Sequence, residues 1–273
     1  MRSPVCLCIL VGLVLIEPAA AQNCDPAETA AMKYAPIAAL NYDVWLKESA
    51  WADLPERRRD LLARVSTAQR AVRACNPGKY TLYTVTAADL GTLRTGEPFI
   101  EAGVADLDRL VEDANDALAH RAPESSLIVS NTFRVFDAQR HDWARNLRKY
   151  FGELKAKLAT RVDASGKYDA AAVELLRQYV SLRYAFPGYS LHQSGRAVDF
   201  HIRVKGGPEL GASTGASNRA AWCESKAFGW LRTQARRYRF VQTAAIDEPW
   251  HWSYKPNATD ADFNAVAPSC RAH

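Results

Sequence analysis

Apolar positions recur along this chain with two periods, and the switches between them outline its elements. Leu61, Leu62, Val65, Ala68 and Val72 fall on one helical stripe, and "DLPE" ahead of them offers Asp53 and Glu56 as a capping pair. An earlier start, "CDPAET", sets Asp25 as N-cap with Pro26 in the first turn and Glu28 reaching back; that helix must bend or break near Pro36. Val104, Leu107, Leu110, Val111, Ala114 and Leu118 predict an amphipathic helix. A long one follows through Trp143, Leu147, Phe151, Leu154 and Leu158, another carries Val173, Leu176 and Val180, and residues 222–237 read as helical. Strand signals fall at "KYTLYTVTA" (79–87), "SSLIVS", "RAVDFHI", "RFVQT" and "EPWHWSY". "DASGKYD" is a turn and "RVKGGPELGASTGASN" a Gly/Ser-rich loop; no internal repeat is present. Helices and strands do not alternate as regular βαβ units. The expected class is therefore α+β, with a mostly antiparallel central sheet, flanking helices and an N-terminal helical region.

The first residues follow another logic. Arg2, the apolar run "VCLCILVGLVLI" and the small residues of "PAAAQ" spell a secretory signal peptide over residues 1–21, cut after Ala21. Asn23 before Cys24 argues against lipid attachment, and no later stretch is apolar for long enough to span a bilayer. Export, to a periplasm or beyond, makes Cys24, Cys75, Cys223 and Cys270 candidates for disulfides; none forms a C-x-x-C cluster. If the first two helices pair as an antiparallel hairpin, Cys24 meets Cys75, and Cys223 is left for Cys270. The formal charge is +5, with basic residues scattered, which speaks against nucleic acid as a partner. Oligomeric state has no signature here.

Four residues carry candidate chemistry. His192 follows the turn-like "FPGYS", Asp199 sits in an apolar strand where an unpaired carboxylate is costly, and Glu248 and His251 flank Pro249. Regular strand geometry sends residues three apart to opposite faces; the proline permits the bend that brings both inward. Two histidines and two carboxylates suit a hydrolytic zinc: three ligands, an open position for water and a base beside it. Singly, each residue has an ordinary reading as a core hydrogen bonder, a salt-bridge partner or a loop carboxylate. No serine is followed by lysine three positions on, so a serine-type S-x-x-K peptidase is excluded.

The motifs go further. S-x-H-x-x-G-x-A-x-D occurs as Ser190, His192, Gly195, Ala197 and Asp199, and E-P-W-H-x-x-Y as Glu248, Pro249, Trp250, His251 and Tyr254. "NTFRVFDAQ" stands where a third motif, S-G-Y-R-S-Y-x-x-Q, is expected. Over roughly residues 105–256 the chain resembles the VanY-type D-alanyl-D-alanine carboxypeptidases, zinc peptidases of family M15 with a hedgehog-like fold. The resemblance implies Zn2+ held by His192, Asp199 and His251, with Glu248 as general base and Arg134 steadying the carbonyl oxygen. It places Gln139 and Ser190 near the substrate, a peptidoglycan stem peptide, and implies a zinc peptidase domain over 105–273 behind an extension or cap at 22–104. Thr132, Phe133 and Val135 depart from the family's glycine, tyrosine and serine, and Arg239 stands where a glycine is usual. His201 shares a strand face with Asp199 and reads as cleft wall or packing. The rival readings are an endopeptidase of the same fold and a non-catalytic zinc-containing wall-binding module.

Overall fold

The computed structural model describes residues 46–271 except 77, 78, 84, 244 and 245. The expected signal peptide, the "CDPAET" helix and Cys24, the expected partner of Cys75, fall on residues outside these.

After a π-turn at Leu46–Ala50, helix α1 spans Glu56–Ala74, and strands β1 (Leu90–Thr92) and β2 (Pro98–Ile100) form an antiparallel hairpin. Helix α2 (Glu101–Arg121) leads to β3 (Ser125–Asn131) and then to α3 (Phe136–Glu153), α4 (Lys155–Ala159) and α5 (Ala170–Ser181). β4 (Ala197–Val204) is followed by α6 (Ala216–Glu224), α7 (Lys226–Gln234), β5 (Phe240–Gln242), β6 (His251–Tyr254) and α8 (Asp260–Phe263). The main sheet is antiparallel throughout, in the order β3-β4-β6-β5. Among the described residues no helix is long and apolar enough to cross a membrane.

Strand alternation sorts the sheet's two faces. Val198, Phe200 and Ile202 of β4, with Trp250, Trp252 and Tyr254, bury against Leu107, Leu110 and Leu118 of α2 and Phe228 and Leu231 of α7. Asp199 and His201 therefore project from the opposite face. A second core joins Leu61, Leu62 and Val65 of α1 to Trp143, Leu147 and Phe151 of α3 and Leu176 and Val180 of α5. The described part of the N-terminal region thus shares a core with helices far along the chain.

Several local expectations differ. The β-prone segment after Lys79 forms no strand among its described residues: Tyr83 makes one backbone bond to the Gly188 carbonyl, and pairing starts only at Leu90. Helix α1 begins at Glu56 behind Pro55 without a side-chain cap, because Arg148 takes the Asp53 carboxylate through two bonds of 3.0 and 2.7 Å. The helix through Leu158 is interrupted at Leu154. The expected 222–237 helix divides at Ser225, whose extended backbone (ψ 146°) and hydroxyl, accepting from the Phe228 N–H, make it the N-cap of α7. Cys223 is bonded to Cys270, as expected, with Cα atoms 5.1 Å apart.

Candidate metal centre

The centre is assembled by strand register. Asp199 lies directly opposite His251 on β6 and opposite Asn131 on β3, so one row across three strands carries an amide, a carboxylate and an imidazole. Glu248 precedes β6 by one tight turn closed by the His251 N–H on the Glu248 carbonyl, 3.0 Å.

His192 arrives from a 3-10 turn, Leu191–Ser194, that enters the row from outside the sheet. The Gln193 side-chain oxygen braces this turn, accepting from the N–H groups of Gly188 (2.7 Å) and Ser190 (3.4 Å). Gly195 ends it at φ +67°, where a Cβ would stand 2.8 Å from Leu90 Cδ2 and 3.4 Å from the Ile100 nitrogen. The motif glycine thus meets two demands, a left-handed backbone and the close approach of the β1–β2 hairpin.

The three ligand atoms offered by His192, Asp199 and His251 lie within 4.8 Å of one another, and all three residues are buried. His192 Nδ1 is 2.6 Å from the Thr132 carbonyl oxygen, which can only accept, so the ring proton sits there. The lone pair on Nε2 then faces Asp199 Oδ2 at 3.2 Å, acceptor against acceptor. Asp199 Oδ1 meets His251 Nδ1 at 2.9 Å, while His251 Nε2 is buried without a hydrogen-bond partner. A cation among these atoms resolves the conflict between His192 and Asp199, and two imidazoles with one carboxylate are the donor chemistry of a hydrolytic zinc. Burial opposes charge on Asp199, yet the two histidines outweigh it and hold the carboxyl well below its ordinary range. Asn131 Nδ2 donates to Asp199 Oδ2 at 3.1 Å and fixes the carboxylate from behind.

Residues 105–257, more than half of the chain, match the family described as "VanY: D-alanyl-D-alanine carboxypeptidase". The chain belongs to that family. No curated protein matches it. Among solved structures it is similar to the vancomycin-resistance D,D-pentapeptidase VanY from a VanB-type cassette, solved as a mutant with Zn(II): 25% identity over 63% of this chain and 79% of that one, TM-score 0.37. VanYB in complex with D-alanine-D-alanine gives 25% identity over 64% and 79%, TM-score 0.37. DacB from Streptococcus pneumoniae D39 gives 17% identity over 67% and 91%, TM-score 0.33.

The other motif residues surround this VanY centre unequally. Burial raises the pKa of Glu248; the nearby Asp199 charge adds to the rise, while His251 and Arg134 oppose it. Arg134 stands just before α3, its backbone N–H on the His192 carbonyl at 3.1 Å. Its Nη1 donates to Gln139 Oε1 (2.8 Å) and to the Tyr184 hydroxyl (2.9 Å), which in turn donates to Asp142 Oδ2 at 3.2 Å. Burial pushes the Tyr184 phenol far above its ordinary pKa, with Asp142 adding to the shift against Arg134. Gln139 is buried, and its Nε2 is occupied by the Ala185 carbonyl at 2.8 Å, so its amide orients Arg134. Ser190 is buried at the entry to the His192 turn. Asn131, Tyr184 and Asp142 are not among the motif candidates, and Thr132 stands out in the sequence only as a departure from the family's glycine. Asn131 and Thr132 lie inside "NTFRVFDAQ", which was their one signal; Tyr184 and Asp142 had none.

Proposed function

We propose that the protein hydrolyses the terminal peptide bond of peptidoglycan stem peptides ending in D-Ala-D-Ala, with His192, Asp199 and His251 holding zinc. The observation that carries this reading is a desolvated glutamate set one turn before a ligand histidine, beside a converged His–Asp–His donor set. A purely structural zinc needs no such base.

When bound, zinc supplies Lewis acidity to the attacking water and to the carbonyl it attacks. Glu248 takes the proton of that water and returns it to the departing amine; its raised pKa makes it a stronger base than an exposed glutamate. Arg134, held between Gln139 and Tyr184, offers fixed positive charge to the carbonyl oxygen as it becomes an oxyanion. Residues 1–21 act as an export signal, which brings the enzyme to its wall substrate. Within the segment 22–104, helix α1 serves as a supporting layer, a reading favoured by the core that it shares with α3 and α5.

Zinc per chain, followed by incubation with a muropeptide ending in D-Ala-D-Ala and product masses, tests this reading. Loss of one alanine is expected. An internal cut converts the assignment to an endopeptidase, and no cleavage by zinc-loaded protein removes it. Glu248→Gln should keep its zinc while turnover falls by roughly 100-fold or more, the scale of a lost general base.

A further inference from the structure

Two residues beyond Asp199, on the same face of β4, His201 joins a separate polar array. Its Nδ1 faces the Glu209 carboxylate, and its Nε2 lies 2.7 Å from Ser130 Oγ. A carboxylate can only accept, so Nδ1 carries the ring proton, and the Nε2 lone pair receives the Ser130 hydroxyl. Hydroxyl, imidazole and carboxylate then stand in the order by which a serine is activated as a nucleophile.

Each member is set in place by the backbone. Ser130 is the extra residue of a bulge in β3, where pairing passes from Val129↔Phe200 to Asn131↔Asp199, and a bulge re-aims the side chain it releases. Glu209 adjoins Leu210, which is bound back to Ile202 by bonds of 3.0 and 2.9 Å, so the loop after β4 is held beside the strand. Gly211 lets that loop close over the ring: a Cβ there would come 3.3 Å from His201 Cε1. Ser130 is exposed, and the His201 and Glu209 side chains keep 22% and 41% of their surface, so an external reagent can reach the hydroxyl. None of the three residues belongs to the metal-ligand set.

We infer that Ser130 is an activated nucleophile, with His201 as its base and Glu209 as the group that orients His201, and that it reacts with carboxylic esters and similarly activated acyl donors. Ser130 Oγ bonds to the acyl carbon as its proton passes to His201 Nε2. The bond from that carbon to the alcohol oxygen breaks, and the alcohol leaves with the proton from His201. Water then adds to the acyl-Ser130 ester by the same proton path, releasing the carboxylic acid and restoring the serine. Esters are the fitting class because an alcohol departs more readily than an amine, and a solvent-open array gives weak electrostatic support to an oxyanion.

The zinc-loaded protein, treated with a fluorophosphonate probe and mapped by peptide mass spectrometry, decides the matter. Label at Ser130 is expected, accompanied by a burst of p-nitrophenol from p-nitrophenyl acetate that Ser130→Ala removes. His201→Gln should slow labelling by roughly 100-fold or more, and Glu209→Gln should slow it to a smaller degree. Zinc content and melting temperature matching the parent certify that each variant is folded. Absence of label at Ser130, or label forming at the parent rate in folded His201→Gln or Glu209→Gln, overturns the inference and leaves the array a clasp for the loop after β4.

Discussion

Glu248 and Tyr184 show how the surroundings of one side chain set its chemistry. Burial raises the pKa of Glu248, so the folded protein holds its proton to higher pH than the unfolded chain does. The sign follows: charged Glu248 destabilises the metal-free fold above its raised pKa, and this cost vanishes as pH falls below the ordinary glutamate range. Metal-free Glu248→Gln should therefore melt above the parent at neutral pH and converge with it in acid; equal melting temperatures at neutral pH would contradict the assigned burial. Tyr184 works through Arg134. Its hydroxyl accepts from the guanidinium and donates to Asp142, so Tyr184→Phe removes one of the two side-chain oxygens that aim Arg134. Misplacing a catalytic group by about 1 Å can cost on the order of 100-fold. Tyr184→Phe should thus lower kcat by roughly 10- to 100-fold with KM nearly unchanged, which steady-state kinetics on a D-Ala-D-Ala peptide will read. An effect confined to KM would move Tyr184 from orienting Arg134 to binding the substrate.

At the scale of elements, the centre depends on a turn, a register and a hairpin that braces the turn. Gly195 ends the His192 turn at φ +67° and lies against Leu90 and Ile100. Gly195→Ala should cost about 1–2 kcal/mol from the left-handed backbone alone and weaken zinc binding by shifting His192. Chemical denaturation and a zinc titration check the two effects separately; unchanged zinc affinity would show that the turn does not set the ligand. The ligand residues were legible in the sequence because their motifs pack ligand, turn glycine and strand into one short segment. The brace was not. Leu90–Thr92 and Pro98–Ile100 are three residues each, too short for alternation to register, whereas the longer Thr- and Tyr-rich stretch before them has the stronger strand composition and forms no strand among its described residues. The capping expectation at Asp53 failed for a related reason, since its competitor, Arg148, lies on a distant helix. Asn131 and Thr132 are adjacent in sequence, yet one holds Asp199 and the other His192. Asn131 does so through its side-chain amide and Thr132 through its backbone carbonyl, which any residue at that position offers and no motif can mark.

Across the whole molecule, two separate cores support the centre, and they are secured differently. The helical core of α1, α3 and α5 rests on apolar packing and supports the start of α3, just after Arg134. The sheet core, which carries Asp199 and His251, is also closed covalently: Cys223 at the end of α6 is joined to Cys270, 47 residues on, and β5 and β6 lie within the loop so formed. Closing a loop of that length removes chain entropy from the unfolded state worth about 4 kcal/mol. The paired Cys223→Ser, Cys270→Ser variant should therefore lose about 2–4 kcal/mol of stability, with the loss expressed in the strands that hold His251. Loop length alone makes the effect global, but the position of β6 inside the loop adds a local consequence. Hydrogen exchange at β5 and β6 should accelerate before that of α1 and α5, and zinc should dissociate over the same range of denaturant. If exchange rises first in α1 and α5 instead, the disulfide acts only on the unfolded chain and does not guard the metal-bearing strand.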